Sequence, residues 1–375
     1  MKVRIAREDL LTALQRVQGV VEKRNTMPIL ANILLEAKSD GLDVIATDLE
    51  LGMRGLYKAV VEDSGSVTFS ARKLFEILKE VRDPEVEMTV SDTSWVTIRS
   101  GRSEFRVVGL PSQDYPTLPP IERNGLIPLP ASGLLELIRK TLFAVSEHDT
   151  RYVLNGLFIV VIPKSSGRAT IRLVGTDGHR LALAEDEISP EKGKLPMEET
   201  QVIIPKKAGN EIRRLLEEGD SEPLIGFTKN MLIFRKSGLV LTSRVMEGTF
   251  PDYQKVIPKD SSKKLIVAKE DLEGALRRVS LLSKDKSYAV KLTIERDRIH
   301  LFSSNPDMGE ANEEIPAKFQ GEGFSTGFNA KYLLDVLGVI GAESLSLQME
   351  SPLSPCLIQE QGNPKFKAVV MPVKV

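Results

Sequence analysis

Three similar α+β domains, each with two helices on one side of antiparallel sheet, are the architecture this 375-residue sequence predicts. Three observations carry that expectation. Helical periodicity recurs in six separate segments, the stretches between them read as short strands, and a polar turn returns at an interval of whole-domain length. The chain is also too long for one ordinary hydrophobic core.

The helices come first. Leu10, Leu11, Leu14, Val17 and Val21 mark one face of a helix near 7–21, and Leu74, Phe75, Leu78 and Val81 a second near 71–82. Leu134, Leu135, Ile138 and Leu142 mark the third, and Ile212, Leu215 and Leu216 the fourth. Leu272, Ala275, Leu276 and Val279 give the fifth; Tyr332, Leu333, Val336, Leu337 and Ile340 give the sixth. Between them, Ile33–Glu36, Leu42–Ala46, Ser66–Ser70, Trp95–Arg99, Ile171–Val174, Leu292–Ile294 and Ile299–Ser303 read as strands. Several alternate apolar and polar residues, as half-buried antiparallel strands do.

The helices pair, and the pairs recur. Each first helix follows a strand-like opening, at Lys2–Ile5, Leu126–Leu129 and Lys264–Val267. The turns Thr47-Asp48, Thr176-Asp177 and Ser304-Asn305 lie 129 and 128 residues apart. Pro111-Ser112-Gln113-Asp114-Tyr115-Pro116 closes the first unit and Phe250-Pro251-Asp252-Tyr253 the second, with Pro119-Pro120 and Pro258 near the linkers. Domains at 1–121, 122–253 and 254–375 follow, with the helices on one side of each sheet.

Charge narrows the function. The 51 basic residues against 52 acidic ones give a net charge of −1, so a DNA binder would need its charge segregated onto opposite faces. The helical segments hold the basic excess, in Arg72 and Lys73, Arg139 and Lys140, Lys206 and Lys207, Arg213 and Arg214, and Arg277 and Arg278. Acids such as Glu8, Asp9, Glu270 and Asp271 fall in first turns, where they offset the helix dipole. A common basic surface is the expectation, with solvated helix faces as the plainer alternative. The single cysteine, Cys356, excludes an intramolecular disulfide framework and fits a packed thiol in a reducing cytoplasm. No apolar run reaches membrane-span length, and Met1-Lys2-Val3-Arg4 begins no signal core, so a cytoplasmic location with no membrane contact is expected.

Catalytic motifs are scarce. The sequence holds neither a phosphate-binding loop nor a dinucleotide glycine fingerprint, and His148, His179 and His300 lack metal-ligand spacing. Neither cofactor nor metal is expected. Asp177 and His179 could be imagined in a hydrolytic site, but no nucleophile motif accompanies them.

The segment holding those two residues carries a specific likeness. Thr176-Asp177-Gly178-His179-Arg180-Leu181-Ala182 resembles the central-domain signature of the bacterial DNA polymerase III beta subunit family, the sliding clamps. Arg151-Tyr152-Val153-Leu154-Asn155-Gly156 lies one strand earlier, as it does there. Phe250-Pro251-Asp252-Tyr253, Val256-Ile257-Pro258, Gly327-Phe328-Asn329 and Val369-Val370-Met371-Pro372 also match. So do Pro28-Ile29-Leu30, Thr47-Asp48-Leu49-Glu50, Ala71-Arg72-Lys73 and Ser100-Gly101-Arg102 in the first unit, so the likeness spans essentially the whole chain.

The resemblance implies a clamp fold, two crescent-shaped chains closing into a six-domain ring around duplex DNA, and no catalysis. It implies sequence-independent DNA contacts from Arg24, Arg72, Lys73, His148, Arg151, Tyr152, Lys206 and Lys207. It implies a pocket for linear peptides of polymerase subunits, clamp loader and other partners. The pocket residues carried over are Leu154, Thr176, Gly178, His179, Arg180, Leu181, Pro251, Val256, Asn329, Tyr332, Leu353, Pro355, Val369, Met371, Pro372 and Val373. Homodimer closure falls to Phe105 and Val107 on one side and Leu281 and Leu282 on the other. A repeated-domain scaffold that binds only proteins, or a hydrolase using Asp177 and His179, are the competing readings.

Overall fold

The computed structural model describes residues 1–21, 27–119, 125–165, 167–189, 195–196, 198–258, 263–283 and 288–374. Among them are six α-helices: α1 (Arg7–Val17), α2 (Ala71–Glu80), α3 (Ala131–Leu142), α4 (Lys206–Leu216), α5 (Lys269–Val279) and α6 (Ala330–Leu337). All the strand pairing in the sheets is antiparallel, so the fold is α+β with two helices per repeat. The first and second helices end sooner than their apolar periodicity, at Val17 and Glu80; Val20 and Val81 still bury their side chains from the following turns.

Local chemistry explains the helix starts. Ser70 caps α2, its hydroxyl accepting from the Lys73 amide, and the Asn329 side chain accepts from the Lys331 and Tyr332 amides at the start of α6. α1 and α5 follow Ala6 and Ala268, which cannot cap. Their first turns instead hold Glu8 with Asp9 and Glu270 with Asp271, opposite in sign to the dipole's positive end.

By internal packing, the described residues form two compact units that do not coincide with the three repeats. One comprises Met1–Ser132 and Asn210–Val245. Its first sheet runs Val60–Asp63, Lys2–Ala6, Glu85–Val90, Trp95–Ser100 and Ser103–Val108. Its second has eight strands, with Leu239–Arg244 of the middle repeat paired to Leu51–Tyr57 of the first. Leu10, Ala13, Leu14 and Val17 of α1 and Leu74, Ile77 and Leu78 of α2 supply its buried helical faces. The C-terminus of α4 is closed by Lys236, whose ammonium donates to the carbonyls of Leu215, Leu216, Glu218 and Gly219. Burial lowers the Lys236 pKa, and these carbonyl partners occupy groups that a helix end leaves unsatisfied.

The other unit comprises Gly133–Ser189, Leu195–Gly209 and the chain from Met246. One twelve-stranded sheet runs through it, and Arg180–Ile188 of the middle repeat pairs there with Phe366–Val370 of the third. Each unit thus contains one seam at which the sheet crosses from one repeat to the next. Leu272, Ala275, Leu276 and Val279 of α5 and Leu333, Val336 and Leu337 of α6 are buried on this unit's core side.

Two of the basic residues expected on a common surface are committed elsewhere. Lys140 is buried, its Nζ 2.9 Å from Glu360. Arg214 donates to the Gln15 and Arg16 carbonyls at the end of α1 and to Glu211. Sequence spacing places a charge on a helix but does not reveal a partner some two hundred residues away.

Candidate partner-binding pocket at the second seam

The turn between strands Ala169–Thr176 and Arg180–Ile188 organises the site. Thr176 Oγ1 donates to the Arg180 carbonyl (2.7 Å) and accepts from the Gly178 amide (3.1 Å). Asp177 Oδ1 accepts from the amides of His179 and Arg180, each at 2.9 Å. Gly178 has φ +83°, the left-handed region that glycine enters without Cβ strain. A Cβ there would also meet Arg151 Nη2 at 2.6 Å.

Arg180 links this turn to two helices. Its Nε donates to Asp177 Oδ2 (3.0 Å), Nη1 to Asp335 of α6, and Nη2 to the Phe143 carbonyl beyond α3 (2.9 Å). The guanidinium lies over the rings of Tyr332 (4.6 Å) and Phe143 (5.4 Å). Five fixed donors make arginine suited to such a junction. Arg151 is held by both oxygens of Asp149, at 2.9 and 2.8 Å, and donates to the Asp177 carbonyl. That guanidinium holds the Asp149 carboxyl down at about 2.

A cavity of about 210 Å³ opens beside these groups. Its lining brings together Leu154, Thr176, Gly178, Arg180, Leu181, Pro251, Val256, Val369 and Met371, all carried over from the family pattern, and adds Arg151 and Tyr253. Leu154, Leu181 and Val369 are buried in its wall, whereas Val256 stands exposed at the rim. Beneath them Phe158 and Phe250 stack at 4.6 Å, and Phe158 meets Tyr253 edge-on. The result is an apolar slot beside two fixed guanidinium groups, suited to apolar side chains that carry polar backbone.

The remaining pocket candidates lie outside that lining. His179 is exposed and stacks on Tyr332 (6.3 Å), while Tyr332 packs against Arg180. Asn329 caps α6, and the Val373 amide donates to the Gly327 carbonyl. Leu353 is exposed, and Pro355 and Pro372 are half-buried. Sequence reasoning placed Arg151 among DNA contacts and passed over Tyr253, although both sit inside motifs already noted. The signal available was the adjoining Pro251, which shares the linker with Tyr253.

The described DNA candidates fall in both units. Arg24 lies outside the described residues. Arg72 and Lys73 are exposed on α2, both bonded to Glu76. His148 and Tyr152 are exposed beside Arg151, Lys207 is half-buried, and Lys206 donates to the Val145 carbonyl and Glu147. Phe105 and Val107 are half-buried on Ser103–Val108, an edge strand of the first sheet, while Leu281 is 75% exposed and Leu282 half-buried.

Nothing here is arranged for catalysis through Asp177 and His179. The Asp177 carboxylate is occupied by its own turn and by Arg180, and His179 packs on an aromatic ring. Among the described residues no group of three or more His, Cys, Asp and Glu side chains could hold a metal ion. Cys356 is buried, which pushes its thiol pKa up and leaves it unreactive.

Family models for the DNA polymerase III beta subunit match three consecutive stretches: the N-terminal domain at residues 1–119, the central domain at 128–252 and the C-terminal domain at 254–374. The chain belongs to the DNA polymerase III beta subunit family. The beta sliding clamp of Caulobacter vibrioides NA1000 is 39% identical over 377 residues, and that of Escherichia coli K12 is 32% identical over 376, each covering 100% of both chains. Among solved structures, the Bartonella birtlesii sliding clamp bound to griselimycin is 37% identical with a TM-score of 0.94. The Caulobacter crescentus DNA polymerase sliding clamp is 39% identical with a TM-score of 0.92, and both structural matches cover 100% of each chain. The beta subunit described here is therefore a sliding clamp and not an enzyme.

Proposed function

We propose that two copies of this chain close into a six-domain ring that encircles duplex DNA, and that the second-seam pocket tethers polymerase subunits, clamp loader and other partners by short apolar peptides. The observation that carries this reading is the 210 Å³ slot, apolar along Leu154, Leu181 and Val369 with Arg180 fixed at its edge. The sliding clamps of Bartonella birtlesii and Pseudomonas aeruginosa are each seen bound to griselimycin, and the slot is our candidate for the surface that would take such a compound here. Three clamp domains at 1–121, 122–253 and 254–375 make up each chain, which works in the cytoplasm. No helix among the described residues is long and apolar enough to cross a membrane.

Retention is topological, so phosphate contacts need only be weak and sequence-blind. Arg24, Arg72, Lys73, His148, Tyr152, Lys206 and Lys207 provide them, with Arg151 shared between DNA and the pocket. An edge strand with Phe105 and Val107 and the exposed Leu281 beside Leu282 are the surfaces that pair, since an unpaired edge otherwise invites uncontrolled association. The test joins sedimentation equilibrium with retention on circular DNA. A mass twice 41.5 kDa, and a complex lost on linearising the circle, support the ring. A strict monomer, or equal retention on linear DNA, rejects it.

A further inference from the structure

The pocket-forming turn occurs twice. In the first repeat Thr47 Oγ1 donates to the Leu51 carbonyl (3.0 Å) and accepts from the Leu49 amide (3.0 Å), while Asp48 Oδ1 accepts from the amides of Glu50 and Leu51. These are the bonds of Thr176–Arg180, one for one. The next strand crosses alike in both places: the Arg244 amide donates to the Glu50 carbonyl at 2.8 Å, as the Met371 amide does to the His179 carbonyl at 2.9 Å. Register agrees too, because Thr242 pairs with Gly52 as Val369 pairs with Leu181. Even the packing repeats. Ile29, Leu34, Ile45, Tyr115 and Leu118 cluster at the first seam where Val153, Phe158, Val174, Phe250 and Tyr253 cluster at the second.

We infer that the first seam is a second, closed copy of the partner pocket, kept shut by this chain's own side chains. Gly52 stands where the pocket has Leu181, and the space its side chain would need is taken by Leu118 Cδ2 and Thr242 Oγ1, at 2.5 and 2.9 Å from a Cβ placed there. Leu51 is 3% exposed in the position of Arg180, which removes the cationic edge. Thr242 and Arg244 replace the apolar Val369 and Met371. Leu49, at φ +79°, puts a side chain where Gly178 leaves none. Tyr115 adds a lock that Phe250 lacks, its hydroxyl accepting from the Thr47 amide (3.1 Å) and donating to the Asn32 carbonyl (3.2 Å). The ligand class is that of the open pocket, an apolar segment presenting polar backbone, and the inference rests on that reading of the second seam.

Griselimycin is the probe, and calorimetric stoichiometry on the full chain is the readout. Wild type takes one equivalent, and Gly178→Leu, which copies the first seam into the second, takes none. Leu118→Ala leaves an apolar void beside Gly52 and takes a second equivalent, at least tenfold weaker. A graft of Leu49→Gly, Gly52→Leu, Leu118→Tyr, Thr242→Val and Arg244→Met also takes two. Placed in the Gly178→Leu background, the same graft restores one. Wild type binding none sinks the reading of the second seam. One equivalent in wild type and still only one in a normally melting Leu118→Ala chain and in the graft sinks the closed copy alone.

Discussion

Lys140 Nζ lies 2.9 Å from Glu360 Oε1, and the two side chains, from α3 of the middle repeat and from Cys356–Glu360 of the third, are only 8% and 6% exposed. Glu360 also accepts from the Gly341 amide and from Asn363, and Lys140 faces the Phe366 ring. Removing one partner strands the other charge in the interior. Lys140→Met is expected to cost about 3–5 kcal/mol. The double change Lys140→Met with Glu360→Leu recovers most of it, and thermal melts of the single and double variants check this.

The same carboxylate sets an acid limb. Burial pushes the Glu360 pKa up, but hydrogen bonds from Lys140, Asn363 and Gly341 more than offset it, and the carboxyl sits below its ordinary value of 4.5. A depressed carboxylate contributes stability that is fully present above the unfolded pKa, about 4.3, and is lost as pH falls through the folded one. The melting-temperature gap between wild type and Glu360→Gln is therefore wide at neutral pH and closes as pH drops below about 4. A gap constant from neutral pH into that acid range would refute the assignment.

Substitution at the two twin turns has opposite signs. Gly178→Ala forces a Cβ into the left-handed region against Arg151 and should destabilise by about 1–2 kcal/mol, with griselimycin binding weakened at least tenfold. Leu49→Gly relieves the equivalent strain at φ +79° and should leave griselimycin affinity at the second seam unchanged. Melting curves and titration of both variants make the comparison.

Arg180→Lys keeps the charge and loses the fork. One ammonium cannot hold Asp177, Asp335 and the Phe143 carbonyl together while covering Tyr332. A dissociation constant for griselimycin raised about tenfold, roughly 1.4 kcal/mol, is the expected outcome. Unchanged affinity would show that the guanidinium does not shape the slot.

Much of this architecture was legible because its signals are local. The face of α5, with Leu272, Ala275, Leu276 and Val279, follows from spacing alone, and all four are buried. Thr176 and Asp177 announce their turn because their side chains bond amides two or three residues away. The strand Gly309–Gln320 stayed hidden, since Gly309–Glu314 carries no large apolar side chain on either face and only Ile315, Ala317 and Phe319 are buried. The buried pairing of Lys140 and the pocket-side position of Arg151 were not legible for a different reason. Each is basic and near a helix or loop of the expected surface, but Glu360 pairs with Lys140 and the Asp177 carbonyl draws Arg151 to the pocket, and sequence does not give those distances.

The sheet's passage across both seams separates ancestry from cohesion. What was copied as three holds together as two, because the middle repeat contributes one part of its strands to each unit. Excised at its own boundaries, that repeat would bare the Leu239–Arg244 edge and the Arg180–Ile188 edge at once, each stripped of its cross-seam partner. The division between the two compact units runs through the interior of the middle copy, not along the borders that duplication drew.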